Sequence, residues 1–246
     1  MSSPIVVIPA RLASRRLPRK ALADIAGRPM IVHVAERARA AAVGRVVVAA
    51  DAPEILSAVE AAGFEAVATS TEHISGSDRI AEAVARIDPS RTHGLVVNVQ
   101  GDEPLVNAAD IRAAVALMDE PTVDIGTLGV PAEPTERDDP NAVKVVGAEV
   151  GPRRLRALYF TRAPAPWGDG LLVRHVGLYV FRRNALERFV ALPPSPLELR
   201  ERLEQLRALE AGMRIDVALA DKAARGVDTA QDLERVRSVF AQGYRT

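Results

Sequence analysis

IVVIPARLASRRLPRK, residues 5–20, decides the fold. Ile5 to Ile8 are apolar and β-branched without alternation, the pattern of a strand covered on both faces, as strands in parallel α/β sheets are. The run empties into a loop that packs Arg11, Arg15, Arg16, Arg19 and Lys20 into ten residues. In open α/β sheets ligands bind beyond the carboxyl ends of the strands, so this junction is predicted to be both the first strand and part of a ligand site. Working outward, short β-branched runs alternate with Ala- and Leu-rich helical runs. Strands are predicted at Arg45–Ala50, Phe64–Ala68 and Gly94–Val99, with helices at Met30–Ala42, Pro53–Ala62, Ser77–Ile87 and Asn107–Met118. Further strands follow at Asp124–Val130, Ala142–Val146, Arg156–Phe160 and Arg174–Phe181. The last three lack long helices between them, which predicts an antiparallel part of the sheet. Ser195, Pro196 and Glu198 form a capping box that opens a helix running to about Glu210, with Gly212 as its stop. A strand over Arg214–Ala220 precedes a final helix capped by Thr229 and Asp232.

Composition narrows the function. At 246 residues the chain is within reach of one large α/β domain, and 48% hydrophobic with 26% charged residues is globular usage. We therefore expect a single domain over 1–246. Lys plus Arg and Asp plus Glu are equal at 32 each, which removes the basic excess of a nucleic-acid or anionic-membrane binder and makes any affinity for anions local. With no cysteine there is no disulfide framework, thiolate zinc site or Cys nucleophile. The apolar run Ile5 to Ala10 is shorter than a signal-peptide core and is followed, not preceded, by cations. No stretch approaches the ~18 apolar residues of a membrane span. A cytoplasmic protein with neither nucleic-acid nor membrane partners is expected.

Three segments carry candidate chemistry. The first loop reads as a polyanion cradle or, on charge alone, as a solvated basic loop. It holds no Walker glycines and no GxGxxG, so Lys and Arg side chains would do what backbone amides do in those motifs. In VNVQGDEP, residues 97–104, a buried strand delivers Gln100 and Asp102 at its end. Asp102 suits a hard cation bridging phosphates, and Asp228 in GVDTAQDL is the best second carboxylate. A turn-forming Gly-Asp and a helix-capping Asp are the alternative readings. In HISGSDRIAEAV, Ser75, Ser77 and Asp78 open a helix with Arg79 in its first turn, which helix capping alone would explain. His33, His73, His93 and His175 show no metal-ligand spacing, and no GxSxG elbow occurs.

Together these segments resemble the 3-deoxy-manno-octulosonate cytidylyltransferase family, also called CMP-KDO synthetase. The resemblance covers nearly the whole chain and rests on IPARLASRRLPRKALADIAGRPMIVHV at 8–34, HISGSDRIAE at 73–82, VNVQGDEP at 97–104, DPNAVKVV at 139–146, ALYFTRAPAPW at 157–167, RHVGLYVFRR at 174–183, SPLELRERLEQLRALEAG at 195–212 and GVDTAQDLERVR at 226–237. It implies an α/β, nucleotide-diphospho-sugar transferase-like (Rossmann-like) fold, with a mixed, mostly parallel sheet, helices on both faces and a small antiparallel dimerisation unit. The implied reaction couples CTP to the acid sugar KDO with release of pyrophosphate, for lipopolysaccharide or related glycans, with Mg²⁺ as cofactor and a homodimer as the assembly. By resemblance, Ala10, Arg11, Ser14, Arg16, Lys20, Ser77 and Arg79 hold the nucleotide, with Lys20 also catalytic. Asp102 and Asp228 hold the metal, and Gln100, His175, Tyr179, Glu204 and Gln205 contact the sugar.

Two departures stand out. Trp167 is followed at once by Gly168, Asp169 and Gly170, where the family carries a longer loop whose Arg meets the sugar carboxylate. Strand alternation turns Arg174 away if His175 and Tyr179 face the pocket, so Arg162 is the expected replacement. The other departure is AAD at 49–51, where a Thr commonly precedes the Asp. The rival functions are a cytidylyltransferase for another acid sugar, of the 8-amino-KDO or sialic acid type, and an inactive nucleotide-binding protein of the same fold. Tyr159, Phe160, Trp167, Tyr179 and Phe181 gather in a chain only 4% aromatic, which suits a subunit interface or a sugar pocket.

Overall fold

The computed structural model describes residues 3–14, 16–223 and 226–243, so Arg15 of the first loop lies outside the described residues. The chain divides into two compact units, one made of the described residues up to Ile111 and from Gly226 onward, the other of Arg112–Ala223.

The first unit opens with β1 (Ile5–Ala10), whose first four side chains are fully buried. A two-residue turn at Ala26 and Gly27, with φ of 51° and 80°, joins β2 (Asp24–Ile25) to β3 (Arg28–Pro29). Both turn residues are left-handed, as the tightest hairpins require. Next come α1 (Met30–Ala40), β4 (Arg45–Ala50), α2 (Pro53–Ala61), β5 (Glu65–Ala68), α3 (Gly76–Ile87), β6 (Leu95–Asn98) and the first residues, up to Ile111, of α4 (Ala108–Ala116). The four long strands run parallel in the order β5-β4-β1-β6. β1 has a strand partner at each edge, which satisfies its backbone, and packs against α1 and α3, and such cover is what lets a strand be apolar on both faces. Burying each Val or Ile there contributes roughly 1.5–3 kcal/mol. Sequence and structure agree here to within a residue or two: α2 carries its Pro in the first turn, and Ser75 Oγ accepts the Asp78 N–H to open α3.

The second unit contains β7 (Ile125–Pro131), β8 (Lys144–Gly151), β9 (Arg154–Thr161), β10 (Val173–Arg182), α5 (Arg183–Ala191), α6 (Pro196–Glu201), α7 (Gln205–Glu210) and β11 (Ile215–Leu219). Its strands order as β10-β7-β11-β9-β8, and β8 pairs again with the start of β10, so the five close on themselves. Only β11 and β7 are parallel. The expected antiparallel content is present, while three details differ from the sequence reading, the first being that β8 runs five residues past the expected end at Val146. Helix α5 was not expected, and the helix predicted from Ser195 to Glu210 is broken. Arg202 takes φ of 55°, and Leu203 N–H bonds back to Glu198 O. The cause lies just past the end of β9: Arg162 donates from Nε to Glu201 O at 2.7 Å and from Nη2 to Arg202 O at 3.3 Å. Carbonyls turned toward a guanidinium cannot continue the helical ladder.

The chain ends in the first unit with α8 (Ala230–Ala241), opened by the expected capping box between Thr229 and Asp232. Val227, Leu233 and Val236 bury against Ile25 and Met30. His33 belongs to this core: Nε2 bonds Ile25 O at 2.8 Å and its ring meets Phe240 edge-on. Burial lowers its pKa from the usual value. Among the described residues no helix is long and apolar enough to cross a membrane.

Candidate active site

A cavity of about 800 Å³ opens in the first unit beyond the carboxyl ends of β1 and β6. Ala10, Arg11, Ser14, Arg16 and Lys20 of the first loop line it, with Arg79 from α3, Gln100 and Asp102 from the segment after β6, and Asp228 from the turn before α8. Of the residues expected on the nucleotide, only Ser77 is absent from the lining; it is buried in the first turn of α3. The close approach of two chain segments shapes the floor. A Cβ at Gly101 would lie 2.6 Å from Pro9 O, so the turn after β6 must carry glycine there.

Lys20 is the centre of the charge pattern. Its Nζ donates to Asp102 Oδ2 at 2.6 Å, to Val227 O at 2.9 Å and to Asp228 Oδ1 at 3.2 Å. Arg16 reaches the same Asp228 oxygen at 2.9 Å. Val227 N–H bonds Asp102 O at 2.8 Å, which ties the two acidic segments together through the backbone. Two carboxylates far apart in sequence thus converge on one positive charge. That donor set fits a hard divalent cation, which takes one or two protein carboxylates and completes its shell with water and phosphate oxygens.

The carboxyl end of β4 also serves the cavity wall. Asp51 accepts Leu12 N–H on Oδ1 at 2.9 Å and pairs through Oδ2 with Arg79 Nη2 at 3.0 Å. Arg79 Nη1 donates to Thr69 Oγ1 at 2.6 Å. Asp51 stops its strand in the sequence and follows Ala50, at one of the strand ends where ligands are expected, yet it is not among the expected site residues. Nearby, His73 bonds Glu82, which also accepts Ser70 N–H. Burial pushes the Glu82 carboxyl up, but these bonds hold it below its usual range.

The remaining expected site residues lie in the second unit. His175 and Tyr179 are on one face of β10, rings 5.4 Å apart. Register slips between Val176 and Tyr179, and Thr127 Oγ1 fills the irregularity by donating to Leu178 O at 2.7 Å. With its only proton committed there, Thr127 accepts from His175 Nε2 at 3.0 Å, which fixes the tautomer. Burial, with the Arg174 charge adding, pushes His175 down to about 3, so the ring is neutral. Thr127 carried no signal in sequence, because a bulge is invisible before pairing is known. Arg174 Nε pairs with Glu136 Oε1 at 3.0 Å. Arg162 commits its guanidinium to Pro140 O, Glu201 O and Arg202 O, so the donors expected to meet a sugar carboxylate are engaged within the chain. Glu201, unforeseen, accepts from Thr161 Oγ1 at 2.8 Å and from Arg162 N–H at 3.0 Å. Glu204 and Gln205 follow directly on the helix break, Gln205 buried at the start of α7.

A parallel sheet whose strand ends carry a cationic loop and paired carboxylates defines a class, the nucleotide-handling α/β transferases. The family model for cytidylyltransferases matches residues 5–215. A 3-deoxy-manno-octulosonate cytidylyltransferase of Methylobacterium radiotolerans is 61% identical over 100% of this chain and 99% of its own length, and that of Azorhizobium caulinodans is 62% identical over 98% and 96%. The chain belongs to the 3-deoxy-manno-octulosonate cytidylyltransferase family. A solved structure of CMP:2-keto-3-deoxy-manno-octonic acid synthetase complexed with CTP matches with a TM-score of 0.91 and 40% identity, covering 98% of this chain and 99% of that one. A cytidylyltransferase structure from Leptospira borgpetersenii, 14% identical with a TM-score of 0.63, shares the fold.

Proposed function

We propose that the chain transfers CMP from CTP to the anomeric hydroxyl of KDO, in the cytoplasm, for surface-glycan assembly. The hydroxyl oxygen bonds to the α-phosphorus of CTP, the bond to the bridging oxygen breaks, pyrophosphate leaves, and the hydroxyl proton passes to solvent. The observation that carries this reading is the meeting of Lys20, Asp102 and Asp228 in a cavity lined by the loop cations. Arg11, Arg16 and Lys20 meet the phosphates and neutralise the charge that builds on pyrophosphate, while Ala10 and Ser14 shape the loop around them. Asp102 and Asp228 hold a divalent cation, Mg²⁺ in this reading, which when bound lowers the pKa of the sugar hydroxyl and screens the phosphates. Positioning and charge neutralisation carry phosphoryl transfer, so no side-chain general base is assigned.

Gln100 is assigned to the acid sugar, as are His175, Tyr179, Glu204 and Gln205 of the second unit. His175, neutral and with Nδ1 free of the Thr127 bond, offers an acceptor to a hydroxyl. Arg162 serves by holding the break that precedes Glu204. Leu158, Trp167, Leu171 and Leu199 are exposed at 59%, 96%, 66% and 65%, which supports pairing of two copies through this unit. A sedimenting monomer at micromolar concentration would remove that assignment. The reaction itself is tested by pyrophosphate release from each of the four nucleoside triphosphates with a panel of acid sugars. Turnover only with CTP and KDO is expected; nucleotide affinity without turnover, or preference for an amino-KDO or a sialic acid, would overturn it.

A further inference from the structure

We propose that Asp51 is a positioning residue for nucleotide binding and that Arg79 acts through it, not on the nucleotide. The inference deepens the reading of the first loop as the triphosphate site and rests on that reading. Leu12 is the second residue of the loop, and its N–H is held by Asp51 Oδ1 at 2.9 Å. That bond sets the direction in which the chain leaves β1, hence where Arg11 and Ser14 stand in the cavity. A carboxylate beside an anion site would repel phosphate if its charge were open. Here it is closed: the Asp51 and Arg79 side chains are 10% and 4% exposed, and Oδ2 pairs with Nη2 at 3.0 Å. Arg79 is held in turn by Thr69, which accepts from Nη1 at 2.6 Å and donates to Ala50 O at 3.2 Å. The set joins the ends of β1 and β4, the residue after β5 and the first turn of α3. Both terminal nitrogens of Arg79 are committed inside it, which leaves the guanidinium's charge balanced by Asp51 before any nucleotide arrives.

The test is a double-mutant cycle in the full chain with Asp51→Asn, Arg79→Gln and the pair, following kcat and both Michaelis constants. Each single substitution is expected to raise the CTP constant about tenfold, the order of a coupling in one network, with kcat and the KDO constant changed less than about threefold. The double substitution should be no worse than the worse single one, because Arg79 acts only by holding Asp51. Additive losses would mean that Arg79 touches the nucleotide itself, and an unchanged CTP constant in Asp51→Asn would remove the positioning role; either overturns the proposal. If the singles do not fold, Thr69→Val is the second probe, expected to raise the CTP constant about twofold to threefold; no change there overturns the proposal as well. Arg11→Ala separates the two levels. A CTP constant unmoved by Arg11→Ala brings down the loop reading and this inference with it, whereas a loss there without one in Asp51→Asn brings down this inference alone.

Discussion

The arginines of the first unit's cavity loop and those that brace the second unit do opposite work. At the cavity of the first unit Arg11 and Arg16 are exposed, Arg16 pairing with the Asp228 carboxylate, while Arg79, Arg86 and Arg237 of the same unit bind the chain itself. In the second, guanidinium groups bind the chain's own carbonyls: Arg162 holds three, and Arg182 holds Val123 O, Met118 O and Glu120 O at 2.7–2.9 Å. Buried Asp216 likewise meets Arg154 and Arg214 within 3.0 Å. Five donors in a rigid fork suit either task, and backbone geometry decides between them. A parallel sheet gathers strand ends, and the loops beyond them, on one side and leaves a cavity there; a small set of strands closed on itself by hairpins and irregular turns leaves carbonyls that need donors. An arginine count therefore says little about ligands until the topology is known.

The sharpest way to break this contrast is to remove a carboxylate from the Lys20 cluster. Asp102→Asn and Asp228→Asn are each expected to lower kcat at least about a hundredfold, with the fold retained, since a metal's contribution is several kcal/mol and each ~1.4 is tenfold. Chelating divalent cations should do the same to the unaltered protein. Near-normal turnover in Asp228→Asn would move the metal assignment elsewhere. The loop cations come next. Lys20→Ala and Arg11→Ala should weaken CTP about tenfold or more and CMP about twofold, because the β- and γ-phosphates carry the charge they meet. Calorimetry giving equal losses for both nucleotides would place these cations away from the phosphates.

On the second unit the effects fall on stability. His175 has a folded pKa of about 3 against 6.5 unfolded. Between those values the unfolded state binds more protons, so its neutral burial stabilises fully above pH 6.5 and progressively less as pH falls toward 3. By pH 5 the loss amounts to about 2 kcal/mol. Urea unfolding at pH 7 and pH 5 should show it, and His175→Gln should flatten that limb; an equally steep limb in the variant assigns the acid sensitivity to other groups. Arg162→Ala is expected to cost about 1–3 kcal/mol of stability through three unmet carbonyls. If stability holds while the sugar constant alone rises tenfold, the guanidinium reaches the carboxylate after all, and the contrast between the units weakens at that residue.

The first unit could be read from residues almost element by element. Ile5–Ile8 and Val47–Ala50 are buried strand segments bounded by loop and stop residues, and such local rules, summed over a run, place an element without knowledge of its neighbours. The same holds for the cationic loop and for Asp102 at a strand end. What the chain order left open was everything set by a distant partner. The break at Arg202 follows from Arg162 just past β9, the slip before Tyr179 from Thr127, and the convergence of Asp102 with Asp228 from the return of the chain to the first unit. Periodicity and capping act over a few residues, whereas a carbonyl turned out of its helix or a carboxylate pair around one ammonium depends on contacts between segments far apart along the chain, which only the folded arrangement specifies.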